Sequence, residues 1–315
     1  NMEEQIENTK AWIETTVADK PKLLVIYGPT ACGKTALTIE LALKYNGEVI
    51  NADSRQIYHG MNIGTGKVTQ EEMQGIPHHL LDILDIHEMY GVGEFAPEAR
   101  RIIADITARG KLPILSGGTG LFIDSVIGNF TIPEVPADWE YRDALEAFRD
   151  KEGNEALWEK LNAVDPDYAS ELDPRNYRYV IRGLEIWKST GQSKKVLGQK
   201  TESPYDYLRI TPYDGDREKL YEKINLRVKK MFDEGLVEEV RGLLGTHNIQ
   251  RPDYLRGEIE LFREFPGLNA IGYREIIDFL NYDKTLEETI ELVQQNNRHY
   301  AKRQLTWFRR YNDAI

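Results

Sequence analysis

A single cysteine, Cys32, among 315 residues leaves this chain no internal disulfide framework and no cysteine-built zinc site. No apolar run approaches the ~20 residues that cross a bilayer, so no membrane association is expected. Asn1 to Lys20 is polar and acidic, without the apolar stretch of a secretion signal, and the expected location is the cytoplasm. Internal repeats and low-complexity tracts are missing as well. Positive charge is in deficit, with 40 Lys and Arg against 52 Asp and Glu and a formal net charge of −12. That balance speaks against an extended nucleic-acid-binding protein, whose domains usually carry a basic excess. The deficit is uneven, however. Between Leu292 and Asn312 no acidic residue occurs, while Arg298, Lys302, Arg303, Arg309 and Arg310 all do. A local basic face still binds phosphates on an acidic protein, because screening limits each charge to about 10 Å at ordinary salt.

What is present begins with Gly28-Pro29-Thr30-Ala31-Cys32-Gly33-Lys34-Thr35, directly after the apolar run Leu23-Leu24-Val25-Ile26-Tyr27. The stretch fits the phosphate-loop pattern G-x-x-x-x-G-K-[ST] of nucleotide-binding and ATP-binding proteins, between a predicted strand and a predicted helix. Gly28 and Gly33 let successive N–H groups turn inward toward an anion, and the following helix adds the positive end of its dipole. Lys34 brings a mobile charge to the outer phosphates, and the Thr35 hydroxyl is a candidate Mg²⁺ ligand. Such a loop binds a di- or triphosphate.

Around it the pattern alternates. Strands are predicted over 23–27, 48–52, 78–84 and 111–115, with helices over 35–45 and 95–109. Strands alternating with helices imply an α/β fold, a parallel sheet of the P-loop type flanked by helices, with ligands at the carboxyl ends of the strands. The ends at 28–35, 53–56 and 117–120 are expected to converge on one crevice. From about residue 129 prolines (Pro133, Pro136, Pro166, Pro174, Pro204) punctuate helical segments and no strand alternates with them. A mostly helical insertion over 129–205 follows, within a core formed by 21–128 and 206–315. The chain returns by a strand over 207–211, then helices over 217–234 and 236–244, a break at Pro252 and Pro266, and a last helix over about 286–311. In that helix Tyr300, Ala301, Gln304, Leu305, Trp307, Phe308 and Tyr311 fall on one arc, with Arg298, His299, Lys302, Arg303, Thr306, Arg309 and Arg310 on the other. The basic arc either completes the helix dipole or contacts nucleic-acid phosphates.

Two classes that share the loop are weakened by what surrounds it. Motor ATPases end an apolar strand in an aspartate that holds the Mg²⁺ shell, whereas Leu112–Leu115 runs into Ser116-Gly117-Gly118. GTPases read guanine with N-K-x-D, which this chain lacks. Small-molecule kinases survive the comparison. Asp53, at the end of the second strand, is suited to ligate Mg²⁺, to cap a turn or to accept a substrate proton. Arg55 and Gln56 beside it offer hydrogen bonds suited to reading a base.

Taken with these, the order and spacing of further motifs resemble the tRNA dimethylallyltransferases (isopentenyltransferases) of the bacterial type. The resemblance runs from Lys22 to about Arg310 and rests on residues 28–35, 53–61, 63–67, 77–80, 117–121, 178–182, 216–217, 272–275 and 300–308. It implies an enzyme that moves a dimethylallyl group from dimethylallyl diphosphate to N6 of an adenine beside the anticodon of tRNA. The loop residues Gly28, Thr30, Ala31, Cys32, Gly33, Lys34 and Thr35 would then hold the donor diphosphate, with Mg²⁺ at Thr35. Thr119 and Arg217 would complete the clamp, and Asp53 would take the amine proton. Asp53, Ser54, Arg55, Gln56, Thr119 and the stretch Arg178, Tyr179, Val180, Ile181 and Arg182 would contact the tRNA. A monomer is expected. Cys32 stands where a small Ser or Ala is usual, which suggests sensitivity to oxidation or alkylation. Tyr179 stands where a second arginine is common. Residues 1–20 lie outside the resemblance. The rival readings are prenylation of free adenine nucleotides, a small-molecule kinase, and a non-catalytic RNA-binding protein.

Overall fold

The computed structural model describes residues 2–15, 19–128, 135–197, 202–249, 258–281 and 284–311. The expected insertion boundary at residue 129 and the break at Pro252 lie outside them. The chain divides into two compact units, one of Asn1–Gly91, Phe95–Ile127 and Pro204–Ile315, the other of Val92–Glu94 with Gly128–Ser203.

In the first unit, strands β1 (Lys22–Tyr27), β2 (Gly47–Asn51), β3 (His78–His79), β4 (Leu112–Gly117) and β5 (Asp206–Ile210) form one sheet in the order β3-β2-β4-β1-β5. Every pairing is parallel. Leu23, Leu24, Val25 and Ile26 are all fully buried, as a strand covered on both faces requires, which is why the run reads as continuously apolar. Tyr27 pairs with Gly117 and Asn51 with Ser116, so β1, β4 and β2 end abreast. β3 stops well short of the expected 78–84, because Leu80 and Asp82 take left-handed backbone angles (φ 61° and 51°) that leave the ladder.

Residues 2–14, which carried no reading from sequence, form a helix on the β5 side of the sheet. Trp12 Nε1 donates to Asp206 at 3.0 Å, and Lys22 Nζ reaches both Asp206 and the Trp12 carbonyl. Gln5 accepts the Thr211 amide at 2.7 Å, and Ile6 and Trp12 cover part of the core formed by Leu24, Ile26, Leu41 and Ile210. At the C-terminus the helix Leu286–Phe308 starts from a capping box at Thr285 and Glu288. It buries Ala301, Gln304 and Phe308, exposes Lys302 and Arg303, and ends before the expected residue 311, leaving Arg309 and Arg310 exposed in the turn that follows.

The second unit holds helices and no strand among its described residues. Helices Trp139–Glu152, Asn154–Val164 and Tyr177–Thr190 close over Leu145, Leu157, Leu161, Val180, Ile181 and Leu184. Glu185, buried beneath them, accepts from Arg142 at 2.8 Å and from Arg182.

One buried carboxylate of the sheet gives a stability prediction. Glu48 on β2 is 1 % exposed and meets Arg109, His79 Nε2 at 2.8 Å and Lys111 at 3.3 Å. The Arg109 hydrogen bonds hold its pKa down, from 4.5 to about 2, against the opposing effect of desolvation. A carboxylate with a depressed folded pKa stabilises above its unfolded value and loses that contribution as it protonates. Stability is therefore expected to fall between pH 4.5 and about 2. Glu48→Gln is expected to cost ~1.5–3 kcal/mol at neutral pH, the range for hydrogen bonds to a charged group, since Arg109, Lys111 and His79 stay partly solvated; urea unfolding reads the loss, and the acid limb should flatten.

Candidate active site

The three aligned strand ends open into a cavity of about 720 Å³, lined by residues 30–35 of the phosphate loop, Asp53, Arg55, Gln56, Ser116, Gly117, Arg227 and Gln304 among others. The loop turns through Ala31 (φ 64°) and Gly33 (φ 97°) before the helix Lys34–Lys44 begins. At Gly33 that angle disfavours any side chain. Lys34 Nζ donates to the carbonyls of Gly28 at 2.9 Å and Pro29 at 2.8 Å. Thr38 at the next turn shares a 2.8 Å hydrogen bond with Ser116, tying the helix to β4 at the position where motor ATPases keep their aspartate.

Two residues that sequence reasoning did not select hold the loop in place. Gln304 of the C-terminal helix accepts the Thr30 amide at 2.9 Å and donates to the Gly118 carbonyl at 3.0 Å, bridging the ends of β1 and β4. Arg227, from the helix Arg217–Asp233, donates to Thr30 Oγ1 at 2.9 Å. Lys223 and Lys230 of the same helix line the cavity beside it. Against Arg227, the wall is formed by Asn62, Ile63, Thr65, Gly66 and Lys67 of the segment 60–67. Glu239 accepts the amides of Asn62 at 3.0 Å and Ile63 at 2.9 Å, and Tyr273 donates to Glu239 at 2.6 Å. Lys67, 8 % exposed, bonds the Tyr58 carbonyl and Asp82 beneath.

Asp53 is 8 % exposed at the carboxyl end of β2. Asn51 shapes its turn, accepting the Asp53 amide at 3.1 Å and donating to the Asp53 carbonyl at 3.0 Å. The Asp53 carboxylate accepts the Arg55 amide at 2.9 Å and lies 3.6 Å from Arg55 Nε. The Arg55 guanidinium stacks 4.5 Å over the Tyr300 ring, with Nε and Nη1 buried and without a hydrogen-bond acceptor. Thr119 Oγ1 accepts the Ser54 amide at 3.0 Å, joining the β4 end to the β2 end. Gln56 spends its amide on the Thr65 carbonyl.

The electrostatics are those of an anion site. Desolvation pushes Lys34 and Arg227 below their ordinary pKa values, and each is pushed further by its cationic neighbours, Arg55 among them. Desolvation is the largest influence on Arg55 too, but Asp53 together with the Tyr300 and Tyr273 hydroxyls outweighs it and raises the guanidinium above its ordinary value. The buried cations Lys34, Arg55 and Arg227 share this lining with Lys67, Lys223 and Lys230 against the carboxylates of Asp53, Glu72 and Glu234, a cationic excess that a bound di- or triphosphate relieves.

The predicted residues divide accordingly. Thr30, Ala31, Cys32, Gly33, Lys34, Thr35, Asp53, Arg55 and Gln56 meet at the cavity, and Ser54 and Thr119 bond each other at its edge. Arg217 does not join them. It sits in the first turn of its helix and lines a separate cavity of about 670 Å³ with Gly28, Tyr213, Arg309 and Tyr311. In the 178–182 stretch Arg178 and Tyr179 are exposed, whereas Val180 (0 % exposed) and Ile181 (4 %) are core residues of the second unit. A helix turns 100° per residue, so five consecutive residues cannot share an outer face. Arg182 is tied to Glu185 and to the Val135 carbonyl at 2.9 Å. Cys32, 8 % exposed, packs against Leu220, Ile224 and Ala301 and also lines the cavity.

Comparison with known proteins places this geometry. Residues 56–311 match the family model described as IPP transferase. The chain is 46% identical over 293 residues to a tRNA dimethylallyltransferase of Halalkalibacterium halodurans, covering 92% of this chain and 88% of the relative. It is 47% identical over 290 residues to that of Geobacillus thermodenitrificans, covering 91% and 87%. Among solved structures, the tRNA isopentenylpyrophosphate transferase of Bacillus halodurans superposes with a TM-score of 0.64 at 45% identity, covering 94% of this chain and 89% of that one. A eukaryotic dimethylallyltransferase captured acting on tRNA superposes with a TM-score of 0.73 at 31% identity, covering 91% and 70%.

Proposed function

The chain belongs to the tRNA dimethylallyltransferases, and from that premise we propose that its loop cavity binds dimethylallyl diphosphate and delivers the five-carbon group to N6 of an adenine beside the tRNA anticodon. The observation that carries this is the Asp53 carboxylate in the same cavity as Lys34, Arg227 and the loop. The C1–O bond to the diphosphate breaks as the N6–C1 bond forms, the diphosphate leaves with its electron pair, and the N6 proton passes to Asp53. Charge developing on the leaving group meets Lys34, Arg227 and the loop amides. Arg55, with donors directed into a buried space beside Asp53, is assigned to the base, which must leave its stack to reach the site. Thr119 holds the Ser54 turn in register with it.

The oxygen donors beside the loop, Thr35 and the carboxylates of Asp53 and Glu72, suit Mg²⁺ rather than a softer metal. Bound there, Mg²⁺ neutralises charge on the diphosphate. Thr35→Ala is expected to raise the Mg²⁺ concentration needed for half-maximal turnover by about tenfold, the 1.4 kcal/mol of one good ligand contact; an unchanged requirement excludes Thr35 from the metal shell.

We assign residues 21–128 and 206–315 as the catalytic core and 129–205 as an insertion that meets tRNA through Arg178 and Tyr179. The exposed cations Lys302, Arg303, Arg309 and Arg310 supply a further phosphate-binding face, so binding is expected to weaken steeply with salt. A monomer suffices for these roles. The test is nucleoside mass spectrometry on unmodified tRNA incubated with the protein, dimethylallyl diphosphate and Mg²⁺, with AMP as a parallel acceptor. Prenylated adenosine in tRNA and none on AMP is the expected result. Prenylated AMP with untouched tRNA moves the protein to nucleotide modification, and ATP consumption without either product moves it to phosphoryl transfer.

A further inference from the structure

Outside the loop cavity, Asp85, His87 and His247 bring one carboxylate and two imidazoles to a single point, with their ligand atoms all within 4.8 Å of one another. None of the three lines the loop cavity. We infer that this cluster is a binding site for a divalent transition-metal ion of the zinc type, a clasp between the segment that follows β3 and the end of the helix Leu236–Thr246. The inference is independent of the reaction assigned above.

The spacing is within reach of the ion. Zinc takes nitrogen and oxygen ligands at ~2.0–2.1 Å in tetrahedral geometry, which sets its ligand atoms about 3.3 Å apart. His247 Nε2 lies 3.0 Å from Asp85 Oδ1 and His87 Nδ1 lies 3.6 Å from Asp85 Oδ2, the two imidazoles facing different oxygens of one carboxylate, and with one atom from each residue all three lie within 4.8 Å, a gap that rotation of the half-exposed Asp85 and His87 side chains closes. Three protein ligands leave one position for solvent. Two imidazoles with one carboxylate select zinc and its first-row neighbours over Mg²⁺ and Ca²⁺, which prefer oxygen alone.

The backbone around the ligands is fixed before any ion arrives. Ile86, between two of them, is fully buried in the cluster that contains Leu243, Leu244 and Leu268. Its carbonyl accepts the Gly267 amide at 3.0 Å, and its own amide donates to Asp85 Oδ1 at 3.0 Å. Glu88 accepts the Asp85 amide at 2.7 Å. Burying Ile86 leaves Asp85 and His87 at the surface, about half exposed. His247 caps its helix and meets the Phe265 ring edge-on at 5.7 Å, which limits its rotation. Such supporting contacts are what hold a metal ligand in its productive orientation.

The test uses the full chain without an affinity tag, stripped with chelator and titrated with Zn²⁺, and in parallel with Co²⁺, whose visible absorption reports tetrahedral nitrogen and oxygen ligation. One equivalent of Zn²⁺ bound, with a rising Tm, is expected. His87 is exposed, so His87→Ala should keep the fold, and it is expected to weaken Zn²⁺ binding by more than the ~10–100-fold that loss of an outer-shell partner costs. Prenyl transfer to tRNA with Mg²⁺ should be unchanged in that variant. Failure to bind Zn²⁺, or undiminished binding by His87→Ala and by His87→Ala/His247→Ala together, overturns the site. Loss of prenyl transfer alongside zinc binding in a folded His87→Ala protein overturns its separateness from the catalytic cavity.

Discussion

Asp53→Asn is expected to lower the rate of prenyl transfer by ~10²–10⁴-fold, the range that general-base removal typically costs, while tRNA affinity stays nearly unchanged. Asparagine keeps the shape and keeps an oxygen to accept the Arg55 amide, so the turn set by Asn51 survives. What it loses is the ability to take a proton from the exocyclic amine as the N6–C1 bond forms. It also loses the negative charge opposite Arg55, in a cavity already crowded by Lys34 and Arg227. The two losses separate by measurement. Proton acceptance governs the chemical step, read by single-turnover kinetics with saturating donor and tRNA. The charge governs the donor, and removing it favours the diphosphate, so the KM for dimethylallyl diphosphate should fall or hold as kcat collapses. An Asp53→Asn enzyme with a near-normal single-turnover rate removes Asp53 from the chemistry and leaves it the turn-forming role its hydrogen bonds already show.

How legible all this was depends on the range of the interaction. The loop, the parallel strands and the ends of β1, β2 and β4 were readable because each is encoded locally, in glycines at fixed spacing and in apolar runs of strand length. Register adds little to that, since strands ending in Tyr27, Asn51 and Gly117 need only pair in parallel to bring the loop and Asp53 together. Gln304 was not readable as a site residue. Its place on the apolar arc of the last helix was visible, but its two partners, Thr30 and Gly118, lie 274 and 186 residues away. The clamp of Glu239 on the amides of the 60–67 segment spans a similar distance in sequence. The helix at residues 2–14 had no motif to announce it; its role follows from the β5 edge that it covers. The 178–182 stretch divides for a local reason: at about 100° per residue five consecutive positions span more than a full turn, so the helix that exposes Arg178 and Tyr179 buries Val180 and Ile181 in the core of its unit.

The second large effect concerns the arginine proposed to face the donor diphosphate. Arg227→Ala is expected to lower kcat/KM for dimethylallyl diphosphate by ~10²–10³-fold, the loss seen when one donor to a developing oxyanion is removed. Arg217→Ala should leave it nearly unchanged. Arg217 starts the helix whose later turn carries Arg227, about 15 Å along at 1.5 Å per residue, and its side chain belongs to the other cavity. The sequence carries a local signal for Arg227 as well, since Lys223, Arg227 and Lys230 recur at spacings of four and three, a single basic stripe. Gly66 supplies an independent check that leaves the charge in place. A β-carbon there would lie 1.4 Å from Arg227 Nη2, on a backbone already at φ +62°. Gly66→Ala must therefore move the guanidinium away from Thr30, and it should reproduce much of the Arg227→Ala defect. If both substitutions act through the position of that one side chain, Gly66→Ala should cost little more once Arg227 is alanine, a strong departure from additivity. Additive losses would mean that Gly66→Ala disturbs the 60–67 wall itself, and that Arg227 acts alone.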